Sequence, residues 1–390
     1  MSVLSVKIFF EKPIFVWLVA ISILASIFFV KFQMVEPDSN EVQYLEQMKL
    51  FSESSFPPKI DLLRTQIAEG HPGFSTLFGR IYSLSGGKVK SIRAVSFGVT
   101  ALAFFFFVLL GMQFVYHNRV NPLWVSTALL LFLLNPYSIE AFFKVGWTGT
   151  FLLFSLAAFY FFKKDLIPLA SLLLAMATLI NWVAILLALS LIATRFVENE
   201  SRILRPERIL ILILPLFVAS LPAFDAAVRD RLLETWSSRK VFRFELFFYS
   251  LSALPIYTLY FSWMWGLRAR LRAQMLGLGA SVVAIPFYFL NQVGNSEDLG
   301  LLHFGVRQIS ETYSNLILFI PWIVGMFLFV QLILLNIRSR SRPLRYFLVL
   351  FFLVQPLVEL AGDRVILLAV PFVLLFSLSE ALVGEEGKLS

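Results

Sequence analysis

The stretch KSIRAVSFGVTALAFFFFVLLG, residues 90–111, decides the fold of this 390-residue chain. Lys90 and Arg93 stand at its start, and every later residue in it is apolar, small or a hydroxyl residue. A helix needs about 20 mostly apolar residues to cross a hydrocarbon core of roughly 30 Å. The stretch therefore predicts a transmembrane helix over residues 94–116.

The composition extends this reading to the whole chain. Hydrophobic residues make up 58%, charged residues 15%, and the mean hydropathy is +0.80. Soluble domains average roughly 45–50% apolar and about 25% charged residues. The composition excludes a water-soluble enzyme and indicates an all-α polytopic membrane protein that forms a single transmembrane domain over residues 1–390.

Apolar runs of the required length recur along the chain and predict about 12 transmembrane helices, in a range of 11–13. The short runs 165–180 and 182–196, hinged at Asn181-Trp182, account for part of that range. The predicted spans are 13–35, 94–116, 122–139, 147–162, 165–180, 182–196, 209–224, 246–267, 274–290, 314–337, 344–361 and 365–383.

Basic residues predict the orientation. With a cytoplasmic N-terminus, the inside segments carry 17 Lys and Arg residues, and the short outside loops carry only Lys144, Arg307 and Arg364. This is the positive-inside pattern, so the net charge of +8 reflects topology and no nucleic-acid partner is expected. We expect a multi-pass protein of a bacterial inner membrane with its active face outward.

Two longer segments, 36–93 and 225–245, then lie outside. In the first, apolar residues recur at helical spacing in two amphipathic stretches, 42–51 and 74–81, and the second segment repeats the pattern. We expect helices that lie on the membrane surface with their apolar stripes down. Tryptophans near span ends are expected in an interfacial belt; they are Trp147, Trp182 and Trp322.

The sequence lacks the motifs of nucleotide-binding, cysteine-dependent and histidine-based metal sites. The chain has no phosphate-binding GxxxxGK[ST] motif, no Cys, and three well-separated His residues. No internal repeat of fixed period is present, which argues against an inverted-repeat transporter. We expect no metal and no cofactor.

The order of motifs around the first outer loop carries a resemblance. VEPDSNEVQYLEQ (35–47) follows span 1, and EGHPGFSTLFGRIYSLSGG (69–87) opens the second amphipathic stretch. KSIRAVSFGVT (90–100) enters span 2, NPYSIEAFF (135–143) ends span 3, and GDRVILLAVPF (362–372) is a fainter late match. This order resembles the C-type integral-membrane glycosyltransferases, in particular protein O-mannosyltransferases and lipid A aminoarabinose transferases. The resemblance covers roughly residues 10–165, and the remainder matches only by hydropathy.

The resemblance implies the C-type fold and a reaction. Such enzymes move a sugar from a polyprenyl-phosphate carrier to a lipid, glycan or protein acceptor, with a first-loop carboxylate as general base and cations that stabilise the departing phosphate. The implied base is Asp38 or Glu41. The implied substrate-binding residues are Tyr44, His71, Arg93, Glu140, Lys144, Arg307 and Arg364.

The sequence departs from the family pattern at two places. Asn40-Glu41 stands where the family has an Asp-Glu pair, so either Asp38 or Glu41 takes the base position or the activity is lost. Glu140 and Lys144 stand where the family places an acid and an Arg.

The residues also have structural interpretations. Asp38 and Glu41 are spaced as a capping box, and His71 precedes a helix-starting Pro72. Lys144 and Arg307 could bind lipid head groups, and Arg364 could act as an orientation anchor. The alternative functions are a polysaccharide polymerase or ligase, or a transporter of lipid-linked sugars.

Overall fold

The computed structural model describes residues 13–31, 39–53, 72–118, 120–198, 206–220, 243–258, 271–290, 301–309, 313–334, 341–355 and 363–380. Within these ranges the chain is helical, and no strand is present. The helices are α1 Pro13–Lys31, α2 Ser39–Glu53, α3 Pro72–Leu84, α4 Val89–Asn118, α5 Pro122–Leu134, α6 Pro136–Phe143, α7 Trp147–Lys163, α8 Ile167–Ile180, α9 Ala184–Glu198, α10 Pro206–Ser220, α11 Phe244–Tyr257, α12 Leu271–Leu290, α13 Leu301–Ile309, α14 Ser314–Leu334, α15 Arg342–Val354 and α16 Asp363–Glu380.

The apolar character of these helices confirms an all-α membrane protein. Each predicted span overlaps at least one helix, and three segments among the described residues are long and apolar enough to cross a membrane: Val89–Tyr116, Leu271–Leu290 and Ser314–Leu334. Shorter apolar helices include 122–133, 167–180 and 184–194. Since a helix rises about 1.5 Å per residue, 13 residues cover only about 20 Å. The count of 12 spans stays a prediction.

Two interruptions explain why some helices are short. Residues 122–139, predicted as one span, form α5 and the start of α6, because Asn135 is extended with ψ 123° and Pro136 cannot continue a helix. At the predicted hinge, α8 ends at Ile180, and the Asn181 side chain accepts a hydrogen bond from the Val183 N–H at 3.0 Å. The hinge at Asn181-Trp182 is therefore confirmed.

The chain folds as two compact units that each gather distant parts of the sequence. The first-loop unit comprises residues 17–110 and 138–239, and the C-terminal unit comprises residues 1–16, 111–137 and 240–390. In the C-terminal unit, α14 packs against α11 and α12, and α16 packs against α5, α11 and α15. Residues 368–376 of α16 are apolar on every side and are all buried, as expected for such a helix.

Aromatic and small residues pack in the interior of the C-terminal unit. Trp322 is fully buried, stacked on Phe319 at 5.7 Å and lying 4.7 Å from the Tyr288 ring. Gly325 lies directly against the Leu251 carbonyl, where a larger residue would collide with the backbone of α11. Trp322 thus packs inside the unit, whereas the sequence predicted an interfacial position.

In the first-loop unit, α8 packs against α7, α9 and α10 and also touches α3. Both amphipathic stretches of segment 36–93 form the predicted helices, α2 and α3. Their apolar stripes pack against each other, since Met48 and Phe51 of α2 and Phe74 and Phe78 of α3 are buried. These four side chains pack inside the protein, while Leu50 and Leu77 remain exposed. The second predicted amphipathic segment, 225–245, lies almost wholly outside the described residues.

Candidate functional site

The site begins at the first turn of α2. This helix starts at Ser39, and Glu41 lies in its first turn, where the helix dipole favours an acidic side chain. Glu41 is nevertheless only 1% exposed. A buried carboxylate of this kind requires compensating charge and hydrogen bonds.

Arg93, in the second turn of α4, supplies the charge. Its Nε donates to Glu41 Oε1 at 2.8 Å and its Nη2 donates to Oε2 at 2.6 Å. This is the fork geometry in which a planar guanidinium binds both oxygens of a carboxylate. Arg93 is 5% exposed, so the two charges are buried together. Residues 52 apart in sequence are thereby joined.

A backbone group completes the shell around Glu41. The Val145 N–H donates to Glu41 Oε1 at 3.2 Å, across 104 residues of sequence. Val145 belongs to the connection between α6 and α7, residues 144–146, which we call the α6–α7 connection. Both Glu41 oxygens therefore accept hydrogen bonds, and together the bonds join α2, α4 and this connection.

One face of α4 fixes the same connection. Arg93, Ser96 and Thr100 follow one another at i, i+3 and i+7, and all three are buried. The Ser96 hydroxyl donates to the Lys144 carbonyl at 3.2 Å, and the Thr100 hydroxyl donates to the Ala141 carbonyl at 3.0 Å. These bonds satisfy carbonyls at the end of α6 that have no partner within that helix.

Glu140 and Lys144 lie at the partly exposed edge of this arrangement. The Lys144 Nζ is 3.6 Å from Glu140 Oε1, and the side chains are 32% and 22% exposed. The Lys144 backbone N–H also donates to the Glu140 carbonyl at 2.8 Å. Chemically, the site thus combines a buried, neutralised pair with an accessible carboxylate and an accessible ammonium group.

Tyr44 lies one turn beyond Glu41 on α2. Its ring meets Phe74 of α3 edge-on at 5.6 Å, and it lies near Gly146 of the α6–α7 connection. Tyr44 is half-buried, so it helps to pack α2 beside the connection. Trp147, the first residue of α7, is buried, whereas the sequence predicted that it belongs to an interfacial belt.

The turn before α4 is built on two glycines. Gly86 and Gly87 have φ values of +62° and +72°, the left-handed region that favours glycine. The Gly87 N–H donates to the Tyr82 carbonyl at 3.0 Å and closes the end of α3. This turn directs the chain into the helix that carries Arg93.

The other predicted site residues are placed as follows. Asp38 and His71 lie outside the described residues. Arg307 lies in the last turn of α13, half-buried, in the C-terminal unit. Arg364 is the second residue of α16, and its side chain lies outside the described part of the chain. The described site therefore consists of Glu41, Tyr44, Arg93, Glu140 and Lys144.

The sequence reasoning did not identify Ser96, Thr100 or Val145. A signal was present for the first two, because hydroxyl residues at i and i+4 in an otherwise apolar span mark a face that meets polar partners. Val145 acts through its backbone N–H, so its side-chain identity carries no signal.

Comparison of the chain with protein-family models, with curated proteins and with solved structures found no match.

Proposed function

We propose that the chain is a membrane glycosyltransferase that moves a sugar from a polyprenyl-phosphate-linked donor to an acceptor on the non-cytoplasmic face. One observation carries the proposal: three segments named by the sequence resemblance, at Glu41, Arg93 and residues 144–145, meet through buried hydrogen bonds. Their convergence supports the resemblance because the segments lie 52 and 104 residues apart.

The surroundings of Glu41 favour a division of roles between the two candidate bases, Asp38 and Glu41. Glu41 accepts bonds on both oxygens and is 1% exposed, so an acceptor hydroxyl has little access to it. A general base must come within hydrogen-bonding distance of the proton that it removes. The base role in the proposal therefore falls to Asp38, and Glu41 positions the α6–α7 connection.

The proposed step is a substitution at the anomeric carbon. Asp38 accepts the proton of the acceptor hydroxyl as its oxygen bonds to that carbon. The bond from the carbon to the phosphate oxygen breaks, and its electron pair leaves with the polyprenyl phosphate. Positioned cations stabilise the charge that grows on this phosphate, and Lys144, Arg307 and Arg364 are the candidates. Tyr44 and His71 contact the substrates.

The finer architecture belongs to the same proposal. It comprises about 12 membrane-spanning helices in the C-type fold, a cytoplasmic N-terminus, and an active face directed outward from a bacterial inner membrane. The strongly basic inside segments and the scarcity of basic residues in the short outer loops support this orientation.

The test follows the released carrier, so it does not require a known acceptor. Purified protein in liposomes made from bacterial envelope lipids is incubated with a panel of polyprenyl-phosphate-linked sugars and with an extract of envelope glycans and proteins, which supplies the acceptor, and free polyprenyl phosphate is quantified by mass spectrometry. The wild type should release the carrier from at least one donor, and Asp38→Asn should reduce release at least 100-fold, the lower range for loss of a general base. Donor movement across the bilayer without release would indicate a transporter and overturn the proposal.

A further inference from the structure

The apolar residues of α3 form two adjacent stripes, and the fold buries one of them and leaves the other exposed. Phe74 and Phe78 lie on the face toward α2 and are fully buried. Leu77, Ile81 and Leu84 follow one another at i, i+4 and i+7, so they share the neighbouring face of the helix. Leu77 is 38% exposed, Leu84 is 89% exposed, and Ile81 is half-buried. We call these three residues the Leu84 ridge.

Helix α4 shows where the membrane surface lies relative to this ridge. Its segment Val89–Tyr116 has 28 residues, about 42 Å at 1.5 Å per residue, which matches the thickness of a bilayer with its head groups. Val89 therefore lies at one membrane surface. Only the two-glycine turn separates α3 from α4, and the Gly87 N–H closes it by donating to the Tyr82 carbonyl at 3.0 Å. The ridge thus ends beside that surface.

The exposed face of α4 changes from polar to apolar at the same level. Lys88, directly before the helix, and Ser91, in its first turn, are exposed. From residue 95 to residue 105 the exposed residues are Val95, Leu102 and Phe105. This change is expected for a helix that passes from the head-group layer into the hydrocarbon core. A lysine at this level can lay its aliphatic stem along apolar surface and hold its ammonium group among the phosphates.

Charge distinguishes the exposed surfaces of the two first-loop helices. The sequence of α3 contains no acidic residue, and its one charged residue is Arg80. On α2, by contrast, the exposed Leu50 is flanked by two exposed acids, Glu46 and Glu53. Anionic head groups attract basic side chains and repel acidic ones. The exposed surface of α3 therefore suits a membrane, and the surface around Leu50 suits water.

We infer that the Leu84 ridge inserts into the head-group layer of the leaflet at which α4 begins, with Lys88 at the level of the lipid phosphates. The sequence predicted that the stripe containing Phe74 faces the membrane, whereas the fold leaves the adjacent stripe for that contact. The inference does not depend on the proposed function. Arg93 lies in the second turn of α4, so the inference places its pair with Glu41 close to the head-group level.

The experiment measures depth in the membrane. The chain contains no Cys, so one introduced Cys is a unique labelling site. Leu77→Cys and Leu84→Cys are spin-labelled in the full-length protein, in liposomes of phosphatidylcholine and phosphatidylglycerol. EPR power saturation then compares collisions with oxygen, which concentrates in the bilayer, and with a water-soluble nickel chelate. Both ridge labels should lie about 5–10 Å below the membrane surface, the usual depth of an interfacial helix.

Two reference positions calibrate these depths. Leu50→Cys is the matched control, because it replaces an exposed leucine of the same outer segment, and its label should lie in water. Leu102→Cys, on the exposed apolar face of α4, should report the hydrocarbon core.

Further substitutions test what holds the ridge in the membrane. With the label at Leu77, Leu84→Asp should remove most of its depth of about 5–10 Å, because a charged side chain is costly to insert. Lys88→Glu should move the label in the same direction, because a carboxylate at this position is repelled by phosphatidylglycerol. Leu50→Asp should leave the label where it is.

Each outcome decides the inference. Nickel accessibility at either ridge label equal to that at Leu50 shows that the ridge faces water and overturns it. Protection from both reagents shows that protein covers the ridge, either another part of the chain or a second copy, and also overturns it. An unchanged depth in Leu84→Asp or in Lys88→Glu has the same consequence. The expected depths without any release of carrier would sustain the inference and refute the proposed transferase.

Discussion

Removing the Arg93 guanidinium tests the centre of the site. Arg93→Met keeps a long aliphatic side chain but removes both hydrogen bonds to Glu41, at 2.8 and 2.6 Å. Since Glu41 is 1% exposed, water cannot replace these bonds. Breaking a buried ion pair from one side costs about 3–5 kcal/mol, because the remaining charge stays buried. We expect the free energy of unfolding to fall by that amount.

The assay is unfolding by sodium dodecyl sulfate in mixed micelles, followed by tryptophan fluorescence. The double variant Glu41→Gln/Arg93→Met should recover at least half of the loss, because it no longer buries an uncompensated charge. Lys90→Ala is the control: it lies on the same helix at an exposed position, so its effect should stay within about 0.5 kcal/mol.

Two results would refute this reasoning. If Arg93→Met costs no more than Lys90→Ala, the buried pair does not contribute as its geometry implies. The single variant Glu41→Gln is measured as well. If the double variant loses as much stability as Arg93→Met and Glu41→Gln lose together, the two residues act independently, since additive effects indicate the absence of coupling.

Three further variants probe the packing and the helix capping of the first-loop unit. A Cβ at Gly79 would lie 2.6 Å from the Phe51 Cβ, so Gly79→Ala should destabilise the protein by about 1–3 kcal/mol in the same unfolding assay. Gly98→Ala meets nothing within 4 Å on α4 and should stabilise by up to about 1 kcal/mol; equal effects of the two would contradict the packing. Asn181→Ala removes the acceptor for the Val183 N–H and should cost about 1 kcal/mol, whereas a loss below 0.3 kcal/mol would show that the capping bond is unimportant.

The all-helical class followed from the sequence because apolar runs of this length require internally satisfied backbone groups. Helix positions followed for the same reason, and Asn181 could be identified as a hinge. The surface against which an apolar stripe packs could not be predicted in the same way. Periodicity shows that Met48 and Phe74 share faces with other apolar residues, but lipid and a neighbouring helix are equally good partners for such a face. The structure places these two stripes against each other.

The candidate site was only partly predictable for a related reason. The resemblance named Arg93 and Lys144, because charged side chains at the ends of apolar spans are conspicuous. It could not assign their partners, since Glu41 and Glu140 are both acids within reach of the same loop. Tertiary packing determines which acid pairs with which cation. It buries Glu41 with Arg93 and places Glu140 at the partly exposed edge with Lys144.

The pairing of Glu41 with Arg93 bears on a question that spacing alone left open, namely whether Glu41 caps its helix or acts as a base. As a cap, Glu41 would serve the N-terminus of its own helix, and as a base it would need open access to an acceptor. The hydrogen bonds described for Glu41 run to α4 and to the Val145 N–H. In the proposed mechanism Glu41 therefore acts on activity through the position of the α6–α7 connection, and hence of Lys144. Kinetics distinguish a carboxylate that positions the site from one that acts as a general base. Loss of a positioning carboxylate alters ligand binding and stability together, whereas loss of a general base lowers turnover in a protein that still binds its ligand and folds.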